Sequence, residues 1–109
     1  MPALADRPCT QTPRSGTPLP AQEAAALLVE LDAAWEIVEG HHLHRAWRFA
    51  DFAEALAFVN RAGEVAEGAN HHPDLLLGWG KVEITLWTHT VDGLTEADFV
   101  VAARIDRLD

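Results

Sequence analysis

The stretch from Lys81 to His89 alternates with little interruption. Val82, Ile84 and Leu86 fall on one side, and Lys81, Glu83, Thr85, Trp87 and His89 on the other. A two-residue period of this kind marks a β-strand with one face turned to a core and the other left polar. Such a strand needs partners for its backbone and a cover for its apolar face, so the rest of the chain must supply both.

Helical patterns supply the cover. Ala24, Leu27, Leu28 and Leu31 fall at i, i+3, i+4 and i+7, predicting a helix from Pro20 to near Ala34. Glu23 lies in its first turn, beside the positive end of the helix dipole, and Trp35 sits at its exit. Asp51 and Glu54 form a capping-box pattern ahead of the stripe Phe52, Ala55, Leu56, Val59, Ala62 and Ala66. That helix should reach about Glu67 and stop at Gly68. Thr95 with Asp98 frames a third helix, with Leu94 set against Phe99 as a staple. Its buried face should hold Phe99, Ala102, Ala103 and either Ile105 or Asp106.

Further strands supply the partners. Glu36–Glu39 and Leu43–Phe49 read as a pair around a turn at Gly40-His41-His42, and Leu75–Trp79 reads as a short strand before a turn at Gly78–Gly80. Arg45 interrupts the apolar face of Leu43, Trp47 and Phe49, so that strand is expected at an edge or wet on both sides. The predicted fold is α+β: a four-stranded antiparallel sheet with three helices on one face, in the order α-β-β-α-β-β-α. Exposed apolar edge strands, and Trp87 on the face away from the helices, suggest contacts with further copies of the chain.

Residues 1–18 read differently. Met1 to Pro20 hold five of the six prolines with Ser15, Gly16 and three threonines, and lack apolar periodicity. A flexible Pro-rich arm is expected over 1–18, with a folded domain over 19–109. A net charge of −9 disfavours nucleic acid and anionic membranes as partners. No apolar run approaches the ~20 residues of a membrane span. The first residues lack the basic stretch and apolar core of a secretory signal, and Cys9, the single cysteine, has no partner for an internal disulfide. A cytoplasmic protein acting on a small molecule or a protein partner is the expectation.

The chemistry concentrates between Glu67 and Asp98, where His71, His72 and His89 accompany those two carboxylates. Imidazole titrates near neutral pH, which suits proton transfer. Pro73 fixes its own φ and biases His72 toward extended backbone, so the two adjacent rings should serve different positions. Strand ends and helix starts on one side of a sheet can converge on a shared pocket, and Trp79 is a candidate flat wall for a planar heterocycle. Zinc prefers three or four converging ligands at helix or hairpin spacing, and an adjacent pair unsupported by cysteine is a poor start, so no metal is expected. The trio His41, His42 and His44 lies in the first hairpin and reads as a solvated turn away from this cluster.

The spacing is Glu67, three residues, His71-His72-Pro73, five residues, Trp79, nine residues, His89, eight residues, Asp98. This resembles the signature of the pterin-4a-carbinolamine dehydratase family. Lys81-Val82-x-Ile84-x-Leu86-x-Thr88-His89, Gly93-Leu94-Thr95 and Phe49-x-Asp51-Phe52 are similar too. Leu75 and Asn70 depart from it, where relatives often carry an aromatic residue and an Asp. The resemblance implies dehydration of 4a-hydroxytetrahydropterin to quinonoid dihydropterin, in tetrahydrobiopterin recycling coupled to aromatic amino-acid hydroxylation. It implies His71, His72 and His89 as the proton-transfer residues, with Glu67, Pro73, Trp79 and Asp98 around the substrate. It also implies no metal or organic cofactor, a homodimer or homotetramer, and a functional link to phenylalanine hydroxylase. The alternative is a protein-binding module on the same fold, a rubisco assembly factor or a transcriptional dimerisation cofactor. A pterin enzyme of altered substrate range, linked to molybdopterin metabolism, is a third option.

Overall fold

The structure, a computed structural model, describes residues 3–9 and 17–108. Three helices, α1 (Ala21–Leu28), α2 (Phe52–Ala69) and α3 (Glu96–Asp106), accompany four strands. The strands are β1 (Glu36–Val38), β2 (His42–Arg48), β3 (Asp74–Leu77) and β4 (Lys81–Leu86), in the order β1-β2-β4-β3 and antiparallel throughout. Element order and layering are those expected from the sequence. Val82, Ile84 and Leu86 of β4 join Leu43 and Trp47 of β2 in one core with Phe58, Phe99, Val100 and Ile105.

The turn between β1 and β2 falls one residue earlier than expected. Glu39 (φ 54°) and Gly40 (φ 66°) both take left-handed backbone, and His41 N–H bonds Val38 C=O at 2.9 Å. Val38 pairs with His42, so residues 39–41 make the turn, and glycine at position 40 accommodates its left-handed backbone without a Cβ penalty. β2 is an interior strand, not an edge. Arg45 is tolerated toward the helix layer because its guanidinium bonds Asp106 at 2.7 Å and lies 4.4 Å over the Trp47 ring. Asp106 also accepts from Trp35 Nε1 at 2.7 Å and from Asp32 N at 3.0 Å, tying the end of α3 to the entry of β1.

Helix ends also differ from expectation. α1 stops at Leu28 rather than near Ala34, although Leu31 and Trp35 are still buried beyond it. In α2 the Asp51 carboxylate accepts from Glu54 N–H at 2.9 Å, as the sequence predicts. The helix runs through Gly68 and ends where Asn70 adopts φ 52°. Asn tolerates left-handed backbone better than most non-glycine residues, so the stop falls two positions later. The α2 stripe is shifted as well: Ala55, Phe58, Ala62 and Ala66 are buried, while Phe52 and Leu56 are exposed. α3 carries the full capping box from Thr95 and Asp98, and is buried nearly all round.

Residues 3–9 are packed, where composition suggested a loose arm; residues 10–16 of that arm lie outside the described residues. Leu4–Asp6 form a single 3-10 turn with Leu4 and Ala5 buried against α3. Arg104 donates to the carbonyls of Ala5 (3.0 Å) and Arg7 (2.8 Å), and hydrogen bonds from Arg107 hold the Asp6 carboxyl below the usual carboxylate range. A local composition argument overlooks such a partner a hundred residues away. Leu19 N–H bonds Leu94 C=O at 2.8 Å, which brings Pro18 against Gly93, where an added Cβ would meet its ring at 2.7 Å.

Candidate functional site

Three local structures deliver the site. The left-handed Asn70 ends α2 and releases His71 and His72 as extended chain before β3. Beyond β4, Thr88 pairs with Gly93 as an isolated bridge, and His89–Val91 form a 3-10 turn. The capping box of α3 then places Asp98 at the same end of the sheet.

His71 is buried, and its Nε2 lies 2.5 Å from Asp98 Oδ1. Asp98, fully buried, accepts on its other oxygen from the Thr88 hydroxyl and from Thr95 N–H, both at 2.9 Å. Because the Thr88 proton goes to Asp98, the Thr95 hydroxyl must donate to Thr88 across their 2.8 Å contact. Three donors thus meet the carboxylate, which fixes the His71 tautomer with a proton on Nε2. Asp98 caps α3 and orients His71 at once. His72 takes the opposite environment. Its Nε2 meets Glu67 Oε1 at 2.6 Å, with both side chains largely exposed.

His71 and His72 line one cleft with Asn70, Trp87, Thr88, His89 and Thr90, of about 230 Å³. The His89 ring is exposed on one side and stacks on Trp87 on the other, at a centroid distance of 4.4 Å and an interplanar angle of 8°. The structure therefore gathers His71, His72 and His89, with Asp98 and Glu67 as the partners of the first two.

Trp79 and Pro73 do not join them. Trp79 is 71% exposed in the turn after β3. The pairs Asp74↔Thr85 and Leu77↔Val82 show that this turn lies at the far end of the hairpin, about 10 Å further along at the usual rise per residue. Pro73 is half-buried and outside the cleft lining. The indole that lines the cleft is Trp87, expected from the sequence to face a subunit contact. A signal was present: on the strand read from Lys81 to His89, Trp87 and His89 share one side, although β4 itself ends at Leu86 and His89 begins the 3-10 turn.

The His41–His42 turn is not remote either. The register Leu43↔Leu86 carries it beside Trp87, with ring centroids 5.5 Å (His41) and 6.1 Å (His42) away. His44 is separate from this group, held on the outer sheet face by Glu83 at 2.8 Å. Hydrogen bonds from His44 and Lys81 hold the Glu83 carboxyl below the usual carboxylate range. Burial pushes the Cys9 thiol up, leaving little thiolate for nucleophilic work. Among the described residues, no group of three or more His, Cys, Asp or Glu is arranged to hold a metal ion, and no helix is long and apolar enough to cross a membrane.

The family model described as pterin 4 alpha carbinolamine dehydratase matches residues 17–108. The chain belongs to the pterin-4a-carbinolamine dehydratase family. A Rubrobacter xylanophilus protein with the provisional name pterin-4-alpha-carbinolamine dehydratase is 52% identical over 99% of this chain and 100% of its own length. Pterin-4-alpha-carbinolamine dehydratase 2, mitochondrial, of Arabidopsis thaliana is 42% identical over 80% of this chain and 49% of its own. A Brucella melitensis transcriptional coactivator/pterin dehydratase superposes with a TM-score of 0.78 at 32% identity, over 84% of this chain and 98% of that one. A dehydratase-like protein identified as a RuBisCO assembly factor in the alpha-carboxysome gives 0.59 at 28% identity, over 69% and 88%. The dehydratase family thus includes members described by roles other than catalysis.

Proposed function

We propose that the protein removes water from a 4a-hydroxytetrahydropterin to give the quinonoid dihydropterin. The observation that carries this reading is the single cleft lined by three imidazoles, two of them held by carboxylates. Hydroxide is a poor leaving group, so an imidazolium donates its proton to the C4a hydroxyl as the C–O bond breaks. The adjacent ring nitrogen gives up its proton and forms the new double bond to C4a, and water departs. The products balance without an oxidant or a reductant. His71 and His72 serve as the acid and base pair, and His89 as the third proton-transfer or positioning ring. One such group is typically worth about 10²–10⁴ in rate. Asp98 and Glu67 hold tautomers by accepting ring N–H bonds.

The decisive assay is stopped-flow decay of the hydroxypterin adduct with and without the protein. Catalysed decay is expected, and an unchanged rate would rule the reading out. On this reading the protein acts in the cytoplasm, downstream of a phenylalanine hydroxylase type of reaction. It self-associates as a dimer or tetramer through strand edges, where Leu75 and Leu76 of β3 are exposed; a monomer by analytical ultracentrifugation would contradict that part.

A second reading, a protein-binding module, draws on exposed Phe52 and Leu56 of α2 and on the likeness to the carboxysome assembly factor. It predicts an inert protein in the same assay and a client that co-purifies.

A further inference from the structure

The mouth of the cleft carries an aromatic array of which the dehydration chemistry uses only His89. Trp87 stacks on His89, nearly parallel at 4.4 Å. His41 packs against the same indole at 5.5 Å with a tilt of 43°. The Nδ1 atoms of His41 and His42 lie 3.1 Å apart, so one of these rings donates to the other, and His41 Nε2 meets Asp92 Oδ1 at 2.8 Å. Asp92 closes the 3-10 turn that begins at His89, in left-handed backbone at φ 50°.

The short turn bearing His89 is therefore held at two points. One is the face of Trp87, and the other is the Asp92–His41 bond to the β1–β2 turn. His89 is exposed and, among the described residues, is not hydrogen-bonded to a carboxylate, unlike His71 and His72. An exposed imidazole without such a partner samples many rotamers unless packing restrains it. Here the restraint is a flat surface.

We propose that Trp87 is the positioning residue of His89, and that His41, tethered by Asp92, braces Trp87 at a second contact. The inference rests on the dehydratase reading for its effect on turnover, but its geometric content is separate. A ring misplaced by an ångström costs up to about a hundredfold in rate. Trp87→Leu should therefore lower kcat about tenfold or more, with KM changed little. Trp87→Phe keeps a flat face and should recover most of that loss. His41→Ala removes the brace alone and should lower kcat a few-fold, roughly what loosening an exposed contact allows. His44→Ala, on the outer face, should leave turnover unchanged.

Proton NMR of the His89 ring reads the stack without any turnover. A ring lying flat on an indole has its carbon-bound protons shifted upfield. That shift should be present in the wild-type protein, absent in Trp87→Leu, largely restored in Trp87→Phe and reduced in His41→Ala. If His89 resonances and kcat are the same in Trp87→Leu as in the wild type, the proposal is wrong. If the wild-type protein itself fails to speed dehydration, the dehydratase reading falls. The resonances then decide the stack alone: a shift lost in Trp87→Leu upholds it, and an unmoved one overturns it.

Discussion

His71 is 6% exposed and donates to a carboxylate that is itself wholly buried, whereas the ring of His72, the next residue, is 58% exposed and bonds a carboxylate 79% exposed. Successive side chains on extended backbone point to opposite sides, and Pro73 biases His72 toward that state. The same chemical pair thus appears once in the core and once in water. In the core, the pair is preorganised and costly to break, since removing one partner strands the other. In water it adds little to stability and is screened by salt. One imidazole is sheltered and the other open to solvent, with which it can exchange protons, a useful division for a site that must both hold and move protons.

The largest test of this contrast is Asp98→Ala. It removes the partner of His71, the acceptor of Thr88 and half of the α3 capping box. A loss of about 3 kcal/mol in urea denaturation is expected, with turnover down about a hundredfold. Next comes His72→Ala, which should lower the catalysed rate by at least about tenfold while the denaturation midpoint hardly moves. A large stability loss there would erase the distinction between the two rings. Glu67→Gln should reduce turnover only a few-fold, the usual scale for an exposed pair. Raising the ionic strength of the wild-type assay should reproduce part of that reduction; salt-independent kinetics would mean that Glu67 and His72 are more tightly coupled than their exposure implies.

The two regions also differ in how far the sequence revealed them. The capping box at Thr95 and Asp98, the alternation in β4 and the Asp51 cap are local signals, and each element starts where those residues put it, though β4 ends at Leu86 rather than His89, which begins a 3-10 turn. Long-range compensation was hidden. Arg45 reads as a fault in a buried strand until Asp106, 61 residues away, is placed beside it. Leu4 and Ala5 read as tail until they are seen buried against α3, with Arg104 donating to the carbonyls of Ala5 and Arg7. In the site, the family spacing singled out three imidazoles that the structure brings to one cleft, with Asp98 and Glu67 hydrogen-bonded to two of them. It misdirected the search for an aromatic wall toward Trp79, because spacing along a hairpin says nothing about which end a residue reaches. Trp87 and the His41–His42 turn became visible only once the β2–β4 register was known.

The central claim is that His71, His72 and His89 face one flat ligand together. Titrating isotope-labelled protein with 7,8-dihydrobiopterin, while following the imidazole nitrogens by NMR, tests this directly. The account predicts that the resonances of all three rings move along one saturable curve, while those of His44 stay fixed. If the three rings fail to respond, or if His44 responds in their place, the account is contradicted.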